Sequence, residues 1–75
     1  MLSINDRKFL RTVGERIRKR REALAWSQAA LGEKCDLDRT FIGSVERGER
    51  NVSILNLRII SRVLRIELGE LLDDV

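Results

Sequence analysis

The sequence has no histidine and no proline, and its one cysteine is Cys35. Without a second thiol the chain forms no internal disulfide, and without histidine or paired thiols the usual zinc and copper sites are excluded. Histidine is also the commonest general acid or base, and the remaining residues assemble no nucleophile–base pair, phosphate loop or metal cluster. We therefore expect no cofactor, no metal and no enzymatic activity.

Long apolar runs are missing as well. No stretch approaches the roughly 18 apolar residues of a membrane span, and the N-terminus lacks the apolar core of a signal peptide. We expect a soluble cytoplasmic protein. With 75 residues, no proline and only five glycines, the composition favours one small all-α domain over residues 1–75, whose marginal stability makes a partner subunit plausible.

The charges are unevenly distributed along the chain. Residues 7–21 carry eight basic side chains against the single acid Glu15, whereas residues 66–75 carry four acids and no base. Such an asymmetry indicates one surface for a polyanion and another that faces away from it. The alternative is that the basic run is an ordinary solvated helix face.

Capping residues predict five helices. Ser3 and Asp6 have the spacing of a capping box, which begins a long first helix ending near Leu24. Ser27, Asp38 and Ser53 are good N-caps, and each follows an apolar residue that matches another apolar residue five positions later, as in a hydrophobic staple. The predicted helices after the first cover about 27–35, 38–47, 53–64 and 67–73.

The second and third helices are separated by a very short connection, which forces the sharp crossing of a helix-turn-helix. Asp36 is the residue in this connection that tolerates a positive φ. Helical spacing directs Phe41, Ile42 and Val45 inward and leaves a small, polar, cationic outer surface, for which we expect Arg39, Thr40, Gly43 and Ser44. An arginine at the positive N-terminus of a helix requires a negative ligand, and this surface suits a DNA major groove.

The stretch "SQAALGEKCDLDRTFIGSVERGERNVSILNLRIISRVLRI" resembles the Xre-type, lambda-repressor-like helix-turn-helix family. Within it, "LDRTFIGSVERGERNVSILNL" is similar to the small controller proteins of restriction–modification systems. The resemblance implies a five-helix domain that binds a partly palindromic operator on double-stranded DNA as a homodimer and regulates transcription, associated with the nucleoid when bound. RNA polymerase is a further candidate partner.

The resemblance also implies roles for individual residues. By this resemblance, the residues that read DNA bases are Arg39, Thr40 and Ser44. Phosphate contacts fall to Ser27, Gln28, Arg21, Arg50 and Asn51. Arg21 and Glu46 match a pair that clasps the first and third helices, although the pair has a purely structural alternative. Ala25 and Arg65 depart from the family pattern because glycine is common at both positions.

The C-terminal third contains more apolar residues than two short helices can bury, and an exposed apolar remainder marks an interface. A symmetric DNA reader needs a two-fold axis, so we expect a dimer across the fifth helix and the turn before it. The candidate interface residues are Ile66, Leu68, Leu72, Leu55 and Ile59. The alternative is that the N-terminal extension of the first helix covers this surface within the same chain.

Other hypotheses remain at this point. Arg39 has the alternative of pairing with Asp36 or Asp38. The whole protein has the alternatives of an antitoxin that binds a toxin, a phage-like repressor, or a basic amphipathic membrane binder. The last is disfavoured, because the cationic residues of 7–21 are not segregated opposite a broad apolar face.

Overall fold

The computed structural model of the chain describes residues 1–73 and contains five α-helices. They are α1 (Ile4–Ala23), α2 (Gln28–Cys35), α3 (Arg39–Glu46), α4 (Ile54–Leu64) and α5 (Leu68–Leu72). No strand occurs in this part of the chain. Asp74 and Val75, which belong to the acidic and apolar C-terminal segment, lie outside the described residues.

The predicted caps begin the first four helices. The Ser3 hydroxyl accepts a hydrogen bond from the Asp6 amide at 3.1 Å, and the Asp6 carboxylate accepts one from the Ser3 amide at 3.0 Å. Ser27, Asp38 and Ser53 each have an extended backbone and a side-chain oxygen that accepts a main-chain N–H of the following helix. These bonds satisfy amides that a helix otherwise leaves unpaired at its start. The predicted helix starts are confirmed to within one residue.

The core lies where all five helices meet. Its buried apolar residues come from every helix: Val13, Ile17, Leu31, Cys35, Ile42, Val45, Leu57, Ile60, Leu64 and Leu71. Cys35 is therefore a small core residue, and burial raises the pKa of its thiol. No helix within residues 1–73 has the length and apolarity that crossing a membrane requires.

α1 and α3 pack closely because Gly14 has no side chain. A Cβ built on Gly14 would lie 2.6 Å from the main-chain oxygen of Glu46, closer than real contacts allow. Any larger residue would therefore push α1 away from the C-terminal half of α3. The close approach also brings α1 within reach of the Glu46 side chain.

Three helix ends use a left-handed residue that is not glycine. Ala25 has φ 60°, and Asp36 and Arg65 both have φ 57°. The amides of Asp36 and Arg65 bond back into α2 and α4, to Glu33 O at 3.2 Å and Arg62 O at 3.2 Å. The positive φ predicted at Asp36 is confirmed, and Ala25 and Arg65 adopt the glycine-like conformation despite their Cβ atoms.

Candidate nucleic-acid interface

The turn between α2 and α3 fixes the direction of α3. The Leu37 amide donates to the Gly32 carbonyl at 2.8 Å, which closes the end of α2. A Cβ on Gly32 would lie 2.6 Å from the Leu37 carbonyl oxygen, so the tight turn depends on glycine here. Asp38 then begins α3, and its first turn projects away from the core.

Arg39 and Thr40 occupy that first turn, and both are exposed. The Asp38 carboxylate accepts a hydrogen bond from the Thr40 amide at 2.7 Å. This bond, together with the nearby charge of Arg39, lowers the pKa of Asp38 below its ordinary value. Arg39 makes no ion pair with Asp36 or Asp38 among the described residues, where all ion pairs involve other arginines. Its guanidinium is therefore available to a ligand.

A buried ion pair holds α1, α2 and α3 together. Arg21 donates to Glu46 in a bidentate manner, from Nε to Oε2 at 2.7 Å and from Nη2 to Oε1 at 2.9 Å. Arg21 Nη1 also donates to the Trp26 carbonyl at 2.8 Å, and Gln28 Nε2 donates to Glu46 Oε1 at 3.0 Å. The side chains of Arg21 and Glu46 are only 10% and 3% exposed. The hydrogen bond with Glu46 raises the pKa of Arg21, so this buried guanidinium keeps its charge.

The Arg21–Glu46 pair, which we call the clasp, also binds Gln28 and so places the start of α2 beside the outer face of α3. One shallow depression is lined by residues of both helices and of the connecting elements: Arg21, Ser27, Gln28, Ala29, Arg39, Thr40, Gly43 and Arg47. It combines the N-terminus of α2 with two exposed arginines, and it contains no carboxylate. A helix N-terminus and guanidinium groups both favour negatively charged ligands. This face suits a phosphate backbone with a helix directed at the bases.

A family model described as helix-turn-helix matches residues 17–71 of the chain. Control protein C.MunI of Mycoplasma sp is 44% identical over 63 residues, which cover 83% of this chain and 85% of that protein. Control protein C.BamHI of Bacillus amyloliquefaciens is 43% identical over 61 residues, 80% of this chain and 75% of that protein. The chain belongs to the Xre-like helix-turn-helix family.

Solved structures agree with this assignment. The restriction–modification controller protein C.AhdI from Aeromonas hydrophila is 44% identical with a TM-score of 0.80, over 83% of this chain and 94% of that one. SinR, the master regulator for biofilm formation, solved in complex with DNA, is 34% identical with a TM-score of 0.77, over 81% and 98%. The helix-turn-helix protein is a DNA-binding transcription regulator with the lambda-repressor-like fold, and it is not an enzyme.

The prediction that Ser44 and Gly43 of this helix-turn-helix protein are exposed is wrong. Ser44 is only 7% exposed, and its hydroxyl donates to the Phe41 carbonyl at 2.7 Å while it accepts from Arg50 Nε at 3.2 Å. The Arg50 guanidinium also lies over the Phe41 ring, 5.6 Å from its centroid. The loop after α3 thus folds back over Ser44, which removes it from the exposed surface that Arg39 and Thr40 share. Gly43 is covered in turn by Gln28 and Arg47.

The other predicted phosphate contacts lie around the same helix-turn-helix. Ser27 and Gln28 begin α2, and Ser27 also uses its hydroxyl as the N-cap. Arg50 and Asn51 are exposed in the loop that follows α3. Arg47 was not predicted, although it lines the depression and forms an exposed bidentate pair with Glu49 at 2.9 and 3.1 Å. Its position at the end of α3 gave no sign that it lies against α2.

The basic run of α1 is divided between surface and interior, which corrects the expectation of one polyanion surface. Arg16 donates from Nη1 to the carbonyls of Glu70 at 3.3 Å and Leu71 at 3.2 Å, and also to that of Asp73. Arg20 donates to the carbonyl of Leu64, the last residue of α4. These two arginines therefore stabilise the negative ends of α4 and α5. Arg21 of the same run is buried against Glu46, so only part of the basic run remains for DNA.

The C-terminal apolar residues are exposed to different degrees. Leu55 is 60% exposed and its neighbour Ile54, not among the predicted interface residues, is 63% exposed. The other predicted interface residues are half-buried and pack against the core: Ile59, Ile66, Leu68 and Leu72. The N-terminal residues 1–8 are exposed, whereas Phe9 and Leu10 of α1 line a small cavity together with Leu72.

Proposed function

We propose that this protein is the controller of a restriction–modification system and binds a partly palindromic operator as a homodimer. The observation that carries the proposal is the unpaired, exposed Arg39 at the start of α3, beside the N-terminus of α2. The restriction–modification context comes from the similarity to control proteins over most of both chains. Each protomer would place α3 in the major groove of one half-site.

Within this proposal, Arg39 and Thr40 read bases. Arginine at the start of a recognition helix suits a bidentate contact to guanine, and threonine suits a base edge or a thymine methyl. Ser44 is not included, because its hydroxyl is engaged by Phe41 and Arg50. The buried Arg21–Glu46 pair keeps α2 and α3 in fixed relative positions, as recognition of bases requires.

Phosphate contacts come from the rim of the same face. Ser27 and Gln28 offer the amides at the start of α2, and Arg50 and Asn51 lie in the exposed loop after α3. Gln28 Nε2 already donates to Glu46, so its phosphate contact would use the remaining N–H of the amide. Such contacts fix the position of the protein on the duplex and carry no sequence information.

The homodimer is proposed to form through the apolar residues at the C-terminal side: Ile66, Leu68, Leu72, Leu55 and Ile59. A two-fold axis at this surface would direct both α3 helices toward the same side of a duplex and match a palindrome. Bound to its operator at the nucleoid, such a dimer would also stand where RNA polymerase binds, which makes the polymerase a further proposed partner.

Selection from a pool of randomised duplexes tests the function. The enriched sequences should contain two inverted half-sites, and binding to them should weaken steeply with salt, with a log–log slope of at least about −4. Enrichment of a single half-site would contradict the dimeric operator, and an affinity independent of salt would contradict DNA binding through phosphates. The genes beside this one provide a second test, because a controller belongs next to an endonuclease or methyltransferase gene.

A further inference from the structure

A groove between α4 and the start of α5 carries both signs of charge. We call it the charged groove. Its basic side chains are those of Arg58 and Arg62, one helical turn apart on α4, and of Arg65 at the C-cap of that helix. Its acid-bearing part is at the beginning of α5, with Glu67 and Glu70, and all five side chains are exposed.

The middle of the charged groove is apolar. Ile66 lies in the connection between α4 and α5, after the arginines, and Leu68 is the first residue of α5, between the two glutamates. Both line the groove and are half-buried. They pack against the core, and part of each side chain remains exposed. The groove therefore has the composition of a small interface, with an apolar centre and a polar rim.

The charged side chains of the groove form no ion pair with one another or with other described residues of the protomer. Among residues 1–73 the ion pairs within 4.0 Å are Arg18–Glu22, Arg21–Glu46 and Arg47–Glu49, and none includes a residue of the groove. Side chains of opposite charge thus line one depression without forming ion pairs. A surface that presents the complementary arrangement would bring each of these side chains into contact with an opposite charge.

A second copy of the chain presents that complementary arrangement. A two-fold interface is self-complementary. If residue i of one protomer contacts residue j of the other, then residue j of the first also contacts residue i of the second. If the axis passes through Ile66 and Leu68, the arginines of α4 in each protomer approach the glutamates at the start of α5 in the other protomer. The same contact with the arginines opposite each other would be repulsive, which disfavours other registers.

We propose that the charged groove is the selectivity element of the homodimer, in which Arg58 and Arg62 of each protomer face Glu67 and Glu70 of the other. The proposal rests on the dimer of the proposed function and adds which residues select the partner and fix the register. The apolar residues supply most of the contact, and the charges decide which copies associate.

Charge reversal tests this arrangement through two variants. The acidic variant combines Arg58→Glu with Arg62→Glu, and the basic variant combines Glu67→Lys with Glu70→Lys. Each alone places like charges opposite each other, and its dimer dissociation constant in sedimentation should rise at least about tenfold. An equimolar mixture of the two should form a heterodimer, and a chain that carries all four changes should again form a homodimer.

The control is Lys8→Glu with Lys19→Glu, which makes the same change in net charge as the acidic variant, on exposed residues of α1 that line a separate depression. It should leave the dimer constant within about twofold. Helical content by circular dichroism separates dissociation from unfolding in every variant. None of the reversed side chains makes a hydrogen bond in the described structure, and Glu67 caps α5 without a side-chain bond.

The outcomes separate this proposal from the function. If the acidic and basic variants dimerise as tightly as the unmodified protein, or their mixture forms no heterodimer, the charged groove does not select the partner, although the dimer stands. If the unmodified protein is monomeric at every concentration and on DNA, the dimeric function itself fails. Rescue only in the mixture and in the fourfold variant supports the proposed pairing, because no change of folding stability produces that pattern.

Discussion

Arg20 of α1 donates a hydrogen bond from Nε to the carbonyl oxygen of Leu64, the last residue of α4, at 2.8 Å. Its Nη2 lies 3.5 Å from the carbonyl oxygen of Arg65. The last carbonyls of a helix have no partner within the helix and form the negative end of its dipole. A cation from a neighbouring helix therefore stabilises the end of α4 while it joins α4 to α1.

Replacing Arg20 with methionine tests this contact. Methionine retains an apolar stem of similar length but removes the donors and the charge, so Arg20→Met should lower the free energy of unfolding by about 1 kcal/mol. Urea denaturation measures the change. Lys19→Met is the matched control, because Lys19 is exposed and has no hydrogen-bond or ion-pair partner in residues 1–73. Equal losses for both variants would show that the Leu64 contact contributes nothing specific.

The two bidentate arginine–glutamate pairs should differ sharply in energetic importance. Glu46→Ala leaves the buried Arg21 guanidinium without its partner and also removes the acceptor of Gln28, so it should destabilise the fold by about 3 kcal/mol. Glu49→Ala removes the exposed partner of Arg47 and should change the free energy of unfolding very little, because solvent screens an exposed ion pair. Thermal or urea unfolding of the two variants measures the difference. A similar small loss in both would mean that the clasp is not what holds α1 to α3.

The local features of the fold were predictable from the sequence. The caps at Ser3, Ser27, Asp38 and Ser53 act within three residues of themselves, so residue type and spacing identify them. The same holds for the left-handed Asp36, because a connection this short requires one such residue. The exposure of Arg39 and Thr40 follows from the turn and from the helical period.

The predictions that failed concern side chains whose contacts come from outside their own helix. Helical spacing places Ser44 near Thr40, and only the return of Arg50 over Phe41 covers it. The charge run of α1 gives no sign that Arg16 and Arg20 reach carbonyls more than 40 positions away. A main-chain acceptor has no sequence signature, so an arginine that caps a distant helix is indistinguishable from one that faces solvent.

Ala25→Gly should stabilise the protein. Ala25 has φ 60°, where a Cβ meets the following carbonyl, and glycine adopts this conformation without that cost. The expected gain in the free energy of unfolding is about 0.5–1 kcal/mol. Ala23→Gly is the matched control, because Ala23 is the last residue of α1 and glycine there should destabilise by up to about 1 kcal/mol. The two Ala→Gly changes lie only two positions apart and should change the free energy of unfolding in opposite directions. This contrast tests the conformation of Ala25 directly.

The cap at Asp38 should make stability depend on acidic pH. The hydrogen bond from the Thr40 amide lowers the pKa of Asp38 below its ordinary 3.8, since that bond favours the charged carboxylate. A carboxyl with a lower pKa in the folded state stabilises the protein fully above the unfolded pKa. That contribution disappears as the pH falls through the folded pKa. NMR titration of the carboxyl carbons should find Asp38 below 3.8, and Asp38→Asn should weaken the loss of stability below about pH 4. An ordinary pKa for Asp38 in the folded protein would show that the cap does not favour the charged form.

The chemistry of Arg39 distinguishes base reading from charge attraction. A guanidinium contacts guanine in a bidentate manner, which lysine cannot reproduce, although lysine keeps the charge. Arg39→Lys should therefore lose about 1–3 kcal/mol of affinity for the selected operator while its affinity for a scrambled duplex stays nearly unchanged. Arg39→Ala should lose at least as much on the operator and a smaller amount on the scrambled duplex, where only the charge matters. Titration of both variants against both duplexes at one salt concentration measures the four affinities. Full operator affinity in Arg39→Lys would make Arg39 a phosphate anchor, and the assignment of this residue as a base reader would be wrong.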